Sequence, residues 1–147
     1  QWGALLADPL YRCRATSIVL TRLTEELFGN TQFVFNLQSV ILHAINAVLV
    51  AALGRWRVIG YKISIPAAFF WGLSERHHEA VIWYSALPEQ LVFTFVLLAT
   101  ICWLEWWESG SKRAYAGACL AYGLALASKE SGVVFCGLAL LPLLADW

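Results

Sequence analysis

With 147 residues, of which 60% are apolar and 14% charged, the chain is far greasier than a soluble domain, which averages about 45–50% apolar and about 25% charged. Ten basic and ten acidic residues cancel, so no basic surface argues for nucleic acid. There are eight tryptophans and no methionine, not even at position 1, and we expect an internal stretch of a longer protein.

Residues 1–32 do not read as a span. Asp8-Pro9 is a turn signal, and Tyr11-Arg12-Cys13-Arg14 is polar and basic. The stretch "SIVLTRLTEELF" then places Val19, Leu23 and Leu27 four apart on one helical face, with Arg22, Glu25 and Glu26 on another. Arg22 reaches acids at both i+3 and i+4. Such a helix either lies in a membrane interface or covers the end of a helix bundle.

Residues 33–53, "FVFNLQSVILHAINAVLVAAL", carry no formal charge. As a helix they span about 30 Å, the hydrocarbon thickness of a bilayer. A shorter block, 63–73, extends back through Tyr61 and Val58, with Lys62 snorkelling toward headgroups. Residues 91–104 form the next long block and continue into Glu105-Trp106-Trp107. Blocks 114–128 and 132–145 are short for spans unless protein buries their ends. The expected fold is all-α: a polytopic transmembrane bundle of about five membrane helices plus an N-terminal interfacial helix. Residues 1–147 form part of one domain, with 1–32 an extracytoplasmic loop and 33–147 the transmembrane helices. The block at 33–53 is too long and too far along the chain to be a signal peptide. A soluble bundle of this length has too little polar surface to hide five apolar blocks.

Alternating spans put Arg55, Arg57 and Lys62 on one side with Lys112 and Arg113. The other side receives Arg76 and Lys129 from its internal loops, so the positive-inside rule places the first group in the cytoplasm. The N-terminal Arg12, Arg14 and Arg22 level that count, and the short internal loops carry the orientation. Trp103, Trp106 and Trp107 fit an interfacial aromatic belt at the cytoplasmic end.

The extracytoplasmic side then gathers Arg12, Arg14, Glu75, Arg76, His77, His78, Glu79, Glu89, Lys129 and Glu130. Charge collects at a membrane face or around a cavity, so both signs with two histidines suggest a polar site there. His77-x-Glu79 can supply a nitrogen and an oxygen to a divalent metal, although two ligands alone make no site. Lys129 and Arg12 suit an anionic phosphate, Arg by its planar fork and Lys as a point charge. Glu79 or Glu89 can serve as a base. Within 33–53, Asn36, Gln38, Ser39, His43 and Asn46 predict interhelical hydrogen bonds first and a substrate lining second. Cys13, Cys102, Cys119 and Cys136 show no CxxC spacing.

Five pieces recur in a known order: Tyr11-Arg12; Leu27-Phe28-Gly29; Leu42-His43-Ala44-Ile45-Asn46-Ala47; His77-His78-Glu79-Ala80-Val81-Ile82-Trp83; and Ser128-Lys129-Glu130-Ser131-Gly132-Val133. Their order and spacing resemble the GT-C superfamily of glycosyltransferases. The likeness is nearest to the transmembrane O-mannosyltransferase group with tetratricopeptide tails (TMTC-like) and its bacterial relatives. The chain departs from that pattern at Cys13, where the group has Pro, and at Ser74-Glu75, where it has His-Pro. Leu87 replaces an Arg, while Glu89 keeps the acid that follows.

The resemblance implies an integral-membrane, inverting glycosyltransferase of the bacterial inner membrane or the endoplasmic reticulum. It would move a sugar, such as a mannose-like hexose, from a polyprenyl- or dolichyl-phosphate donor to a hydroxyl of a protein or glycan acceptor. The active face would be extracytoplasmic. The resemblance also implies a catalytic Asp before the Tyr-Arg motif; Asp8 lies too close to Tyr11, so the acid is expected upstream of Gln1. A leaving lipid phosphate needs cations. Arg12 and Lys129 are the first expectation, with Arg14 and Arg76 behind them and Tyr11, Glu89 and Glu130 nearby. His77 and Glu79 would position phosphate and acceptor or hold a divalent metal; positioning is favoured, since relatives work without metal. No cofactor is otherwise expected. The rival readings are a transporter and a non-catalytic membrane scaffold.

Overall fold

The computed structural model describes residues 14–74 and 86–145. Among them every regular element is helical: α1 (Ala15–Phe28), α2 (Gln32–Ala52), α3 (Tyr61–Leu73), α4 (Leu87–Ser109), α5 (Lys112–Ser128), α6 (Phe135–Leu138) and α7 (Leu141–Ala145). Single 3-10 turns, Leu53–Arg55 and Glu130–Val134, extend α2 and follow α5.

The core is the α4–α5 hairpin. Gly110 ends α4 in the left-handed region at φ 67°, where a side chain would strain, and its N–H returns to the Trp106 carbonyl at 2.7 Å. Ser111 then caps α5 by accepting from the Ala114 amide at 3.4 Å. Along α5, Ala114, Ala118, Ala121 and Ala125 are all buried and form one stripe of methyl groups. Side chains this small let two helix backbones approach closely. Val92, Val96 and Ala99 of α4 fill the seam against Ala121 and Ala125, and Phe135 closes it.

Directions follow from cross-helix bonds. The Ser64 hydroxyl donates to the Ala51 carbonyl at 2.9 Å and His43 meets the Gly72 carbonyl at 3.1 Å, so α3 runs back along α2. Asn46 bonds at Gln90 and Thr94, while Ala52 and Leu53 share a cavity with Ile101 and Leu104, so α2 and α4 run the same way. The end of α3, the start of α4 and the end of α5 therefore share one end of the bundle. Helix α1 crosses that end, bonded through Thr16 to Ser128 and through Thr24 to Gln38.

Burial in the outer helices is inverted relative to a water-soluble fold. Helix α1 buries Ser17 and Thr24 and exposes Val19, Leu23 and Leu27. Helix α2 buries Ser39 and Asn46 and exposes Phe33, Val40, Ile41, Ile45 and Val48. Exposed Phe69, Phe70 and Leu73 continue the pattern on α3. Lipid asks no cover of apolar groups but leaves polar ones unsatisfied, so polar residues turn to protein. A helix covering the bundle end with its apolar face would bury Val19, Leu23 and Leu27; α1 instead turns its hydroxyls inward and leaves these three outward.

Two helices, Gln32–Arg55 (α2 with its 3-10 turn) and Leu87–Ser109, are long and apolar enough to cross a membrane. Helix α3 has 13 residues, about 20 Å, and α5 has 17 residues, about 26 Å. The fifth expected span, 132–145, is not one helix but a 3-10 turn followed by α6 and α7. Two residues explain the break. Gly132 lies flush on α5, where an added Cβ would sit 2.9 Å from the Ala125 carbonyl carbon. Pro142 lacks the N–H that would continue the helix and its ring crowds the preceding turn.

Candidate functional site

The shared end holds four of the expected site residues: Arg14, Glu89, Lys129 and Glu130. Tyr11, Arg12, Arg76, His77 and Glu79 lie outside the described residues, together with the proposed His77–Glu79 metal pair. Among the described residues no group of three or more His, Cys, Asp or Glu stands close enough to hold a metal.

Glu89 lies ahead of the 91–104 block in the sequence but inside the helix in the structure. It sits in the first turn of α4, behind Pro88, rather than in a connection. Both residues suit that position: proline forfeits only an amide that is orphaned anyway, and a carboxylate complements the positive end of the helix dipole. From there Glu89 forms an ion pair with Lys129, forty residues along the chain. The Lys129 side chain is 23% exposed and that of Glu89 48%, so the pair is half-wet. Half-wet pairs contribute about 0–1 kcal/mol. The pair therefore fixes where a cation stands more than it holds the fold together.

The run Ser128-Lys129-Glu130-Ser131-Gly132 acquires a local account. Ser128 is fully buried; its hydroxyl donates to the Leu124 carbonyl at 2.7 Å, so the Thr16 hydroxyl, 2.6 Å away, is the donor between the two. At Lys129 the backbone turns extended, and its carbonyl takes the Gly132 amide at 3.0 Å. Gly132 presses on Ala125, and Glu130 is left exposed at the rim. Arg14, exposed, stands at the start of α1, two residues before Thr16, and makes no ion pair among the described residues. On α1 itself Arg22 pairs with Glu25 at 2.8 Å.

Three polar residues of α2, Gln38, His43 and Asn46, bond to other helices. Gln38 accepts from the Thr24 hydroxyl of α1 at 2.7 Å. The His43 ring stacks on Trp71 with centroids 4.6 Å apart, and Trp71 stacks on Phe93 at 5.0 Å. Asn46 donates to the Gln90 carbonyl at 3.2 Å and accepts from Thr94 at 2.7 Å. Asn36 is exposed, and buried Ser39 finds no hydrogen-bond partner among the described residues. Between α1 and α2 runs an almost wholly apolar groove of about 360 Å3, lined by Leu20, Phe28, Val34, Leu37 and Ile41, with Gln38 at its wall.

The opposite end carries Arg55, Lys112 and Arg113, but it is less basic than its loops suggest. Arg55 and Trp56 share a cavity of about 150 Å3 with Glu105 and Glu108 of α4. The tryptophan cluster there is only partly a belt. Trp107 is exposed, while Trp103 points inward, donating its indole N–H to the Ala139 carbonyl at 3.0 Å. Cys102, Cys119 and Cys136 are free thiols. Sequence reasoning missed Thr94, Thr16 and Trp71. A lone threonine inside the apolar run "LVFTFV" was the available signal for the first; the other two give none.

A family model described as dolichyl-phosphate-mannose-protein mannosyltransferase matches residues 17–147. Neither the curated proteins nor the solved structures yield a match. With nearly the whole sequence matched, the chain belongs to the dolichyl-phosphate-mannose-protein mannosyltransferase family.

Proposed function

From that membership we propose that the chain is part of an integral-membrane, inverting glycosyltransferase of GT-C type, nearest to the transmembrane O-mannosyltransferases. It transfers a sugar from a polyprenyl- or dolichyl-phosphate donor to an acceptor hydroxyl, on protein or glycan, at the extracytoplasmic face. The observation that carries the reading is the Glu89–Lys129 pair, beneath the crossing helix α1, at the end where Arg14 also stands.

Sugar transfer with inversion needs an acceptor oxygen stripped of its proton and a leaving phosphate relieved of its growing charge. Lys129 suits the second task. Held by Glu89, its ammonium is already placed, so little reorganisation is needed when a phosphate draws near. Arg14 and, from outside the described residues, Arg12 and Arg76 are the further cations of this scheme, with His77 and Glu79 assigned to phosphate and acceptor and Tyr11 and Glu130 as further binding residues. No residue of this chain is assigned as the base. The groove between α1 and α2 has the size and chemistry to take part of an isoprenoid tail, and it opens on lipid-facing helices. A divalent metal at His77 and Glu79 is not required by this scheme.

A transporter would keep the polar groups of α2 available to a solute. Gln38, His43 and Asn46 are instead bonded to α1, α3 and α4, which favours the transferase. The test uses the full-length protein in lipid nanodiscs with labelled dolichyl-phosphate mannose and an acceptor protein. Lys129→Ala should lower transfer about 100-fold at unchanged expression, with Lys129→Arg recovering part of it. Normal transfer by both Lys129→Ala and Arg12→Ala would show that the assignment is wrong.

A further inference from the structure

The end of the bundle opposite the candidate site holds a second polar place. Helix α2 finishes there in the 3-10 turn Leu53–Arg55, and α4 finishes there at Ser109. Between them lies the cavity of about 150 Å3, walled by Leu53, Arg55 and Trp56 on one side and by Leu104, Glu105 and Glu108 on the other. At 3.6 residues per turn the three α4 residues fall within about 100° of one another, so they share a face. Leu104 is buried while Arg55, Glu105 and Glu108 are exposed, which gives an apolar floor and an ionic mouth.

The α2 wall is held in place. Gly54 is buried against α3, where an added Cβ would stand 2.7 Å from the Tyr61 ring and 2.9 Å from its Cα. Ser64 of α3 donates to the Ala51 carbonyl at 2.9 Å. Arg55 and Trp56 follow directly, on a turn that α3 fixes. The charges are not spent on one another. Opposite signs line a space of about five water volumes, yet none of the three residues makes an ion pair among the described residues.

A gap of that kind matches a ligand that carries both signs. Arg55 offers a planar fork to a phosphate. Glu105 and Glu108 accept from an ammonium, and the C-terminal ends of α2 and α4 add negative partial charge. Two carboxylates to one guanidinium leave the place acidic, which disfavours an anion without an ammonium. A quaternary ammonium has no N–H and is held by cages of aromatic rings; here one ring, Trp56, stands with two carboxylates. A primary ammonium, with three N–H donors, fits this set. The depth identifies the carrier. The cavity lies at the ends of two helices long and apolar enough to cross a membrane, where tryptophan sits among headgroups.

We propose that this cavity binds the headgroup of an ethanolamine phospholipid, phosphate on Arg55 and ammonium between Glu105 and Glu108. The lipid bridges the ends of α2 and α4. Its binding does not depend on the sugar transfer proposed above.

The full-length protein in detergent, titrated with lipid and read by native mass spectrometry, tests this. Dioleoyl phosphatidylethanolamine should bind about tenfold more tightly than dioleoyl phosphatidylcholine or dioleoyl phosphatidylglycerol. Glu105→Gln combined with Glu108→Gln should abolish the preference. Arg55→Gln should weaken phosphatidylethanolamine by a similar factor, and Arg57→Gln, outside the cavity, should change nothing. A photoreactive phosphatidylethanolamine, its amine free and its diazirine high in one acyl chain, should label residues 52–56 and 101–108. The proposal is overturned if the three lipids bind alike, if the folded double variant keeps the preference, or if the label falls elsewhere. Should the double variant not fold, Arg55→Gln and the label decide. Displacement by free phosphoethanolamine at the lipid's own concentration would overturn the assignment to a lipid.

Discussion

In the most apolar 18-residue window of α4, 61% of the residues are buried within the protein; in that of α2 the share is 17%. Their mean hydropathies are nearly equal, 1.7 and 1.8. Helix α4 is wrapped by α5, α2 and the turns after α5, and its buried set is mostly aliphatic: Leu87, Leu91, Val92, Val96, Leu97 and Leu104. Helix α2 buries only Ser39 and Asn46. Composition therefore says that a helix tolerates lipid, not that it faces lipid. The difference lies in where the polar atoms go. In α4 the buried polar residues, Gln90, Thr94 and Thr100, lie among packed aliphatic side chains; in α2 the fully buried residues are both polar, and Leu37, Val40, Ile41, Ile45 and Val48 face outward.

The contrast breaks most visibly if charge is placed on the outer face of α2. Ile45→Arg, at a 42% exposed position near mid-helix, should cost about 3 kcal/mol of insertion, read as the inserted fraction in a membrane-insertion assay. Unchanged insertion would mean that face does not meet lipid. Next comes a pair of identical truncations. Leu97 is 6% exposed and Leu37 45%, so Leu97→Ala should destabilise by about 3 kcal/mol and Leu37→Ala by less than about 1 kcal/mol in detergent unfolding. Equal costs would erase the distinction between the two helices. The smallest effect sharpens it from the polar side: Asn46→Leu removes two bonds to α4 and should cost about 1 kcal/mol, the usual scale of interhelical hydrogen bonds in membranes.

How much was legible follows the same division. The span 33–53 was readable almost to its ends because an uncharged run of bilayer length has one natural helical reading, and α2 covers Gln32–Ala52. The start of α4 was placed four residues late. Pro88 and Glu89 carry loop chemistry in a string of letters and first-turn chemistry in a helix. The run 132–145 read as one helix because hydropathy does not register Gly132 pressed on a neighbouring backbone. At the site, alternation of spans was enough to put Glu89 and Lys129 at one end, but not to pair them. Asn36 is exposed and Ser39 has no partner among the described residues, but Gln38, His43 and Asn46 of α2 declared themselves as interhelical donors and acceptors. Their partners did not, because the Gly72 and Gln90 carbonyls belong to the backbone and leave no mark in the sequence.

The alanine stripe of α5 bears on how the chain is made. With a two-residue turn at Gly110-Ser111 and methyl groups along the seam, α4 and α5 can close on each other as soon as Ser128 has emerged during synthesis. Helix α2 is made earlier but has to wait: Asn46 has its partners only once Gln90 and Thr94 of α4 have emerged. For as long as that takes, the Asn46 amide stands without those partners, a stretch of time in which an insertion chaperone or another helix would find it open.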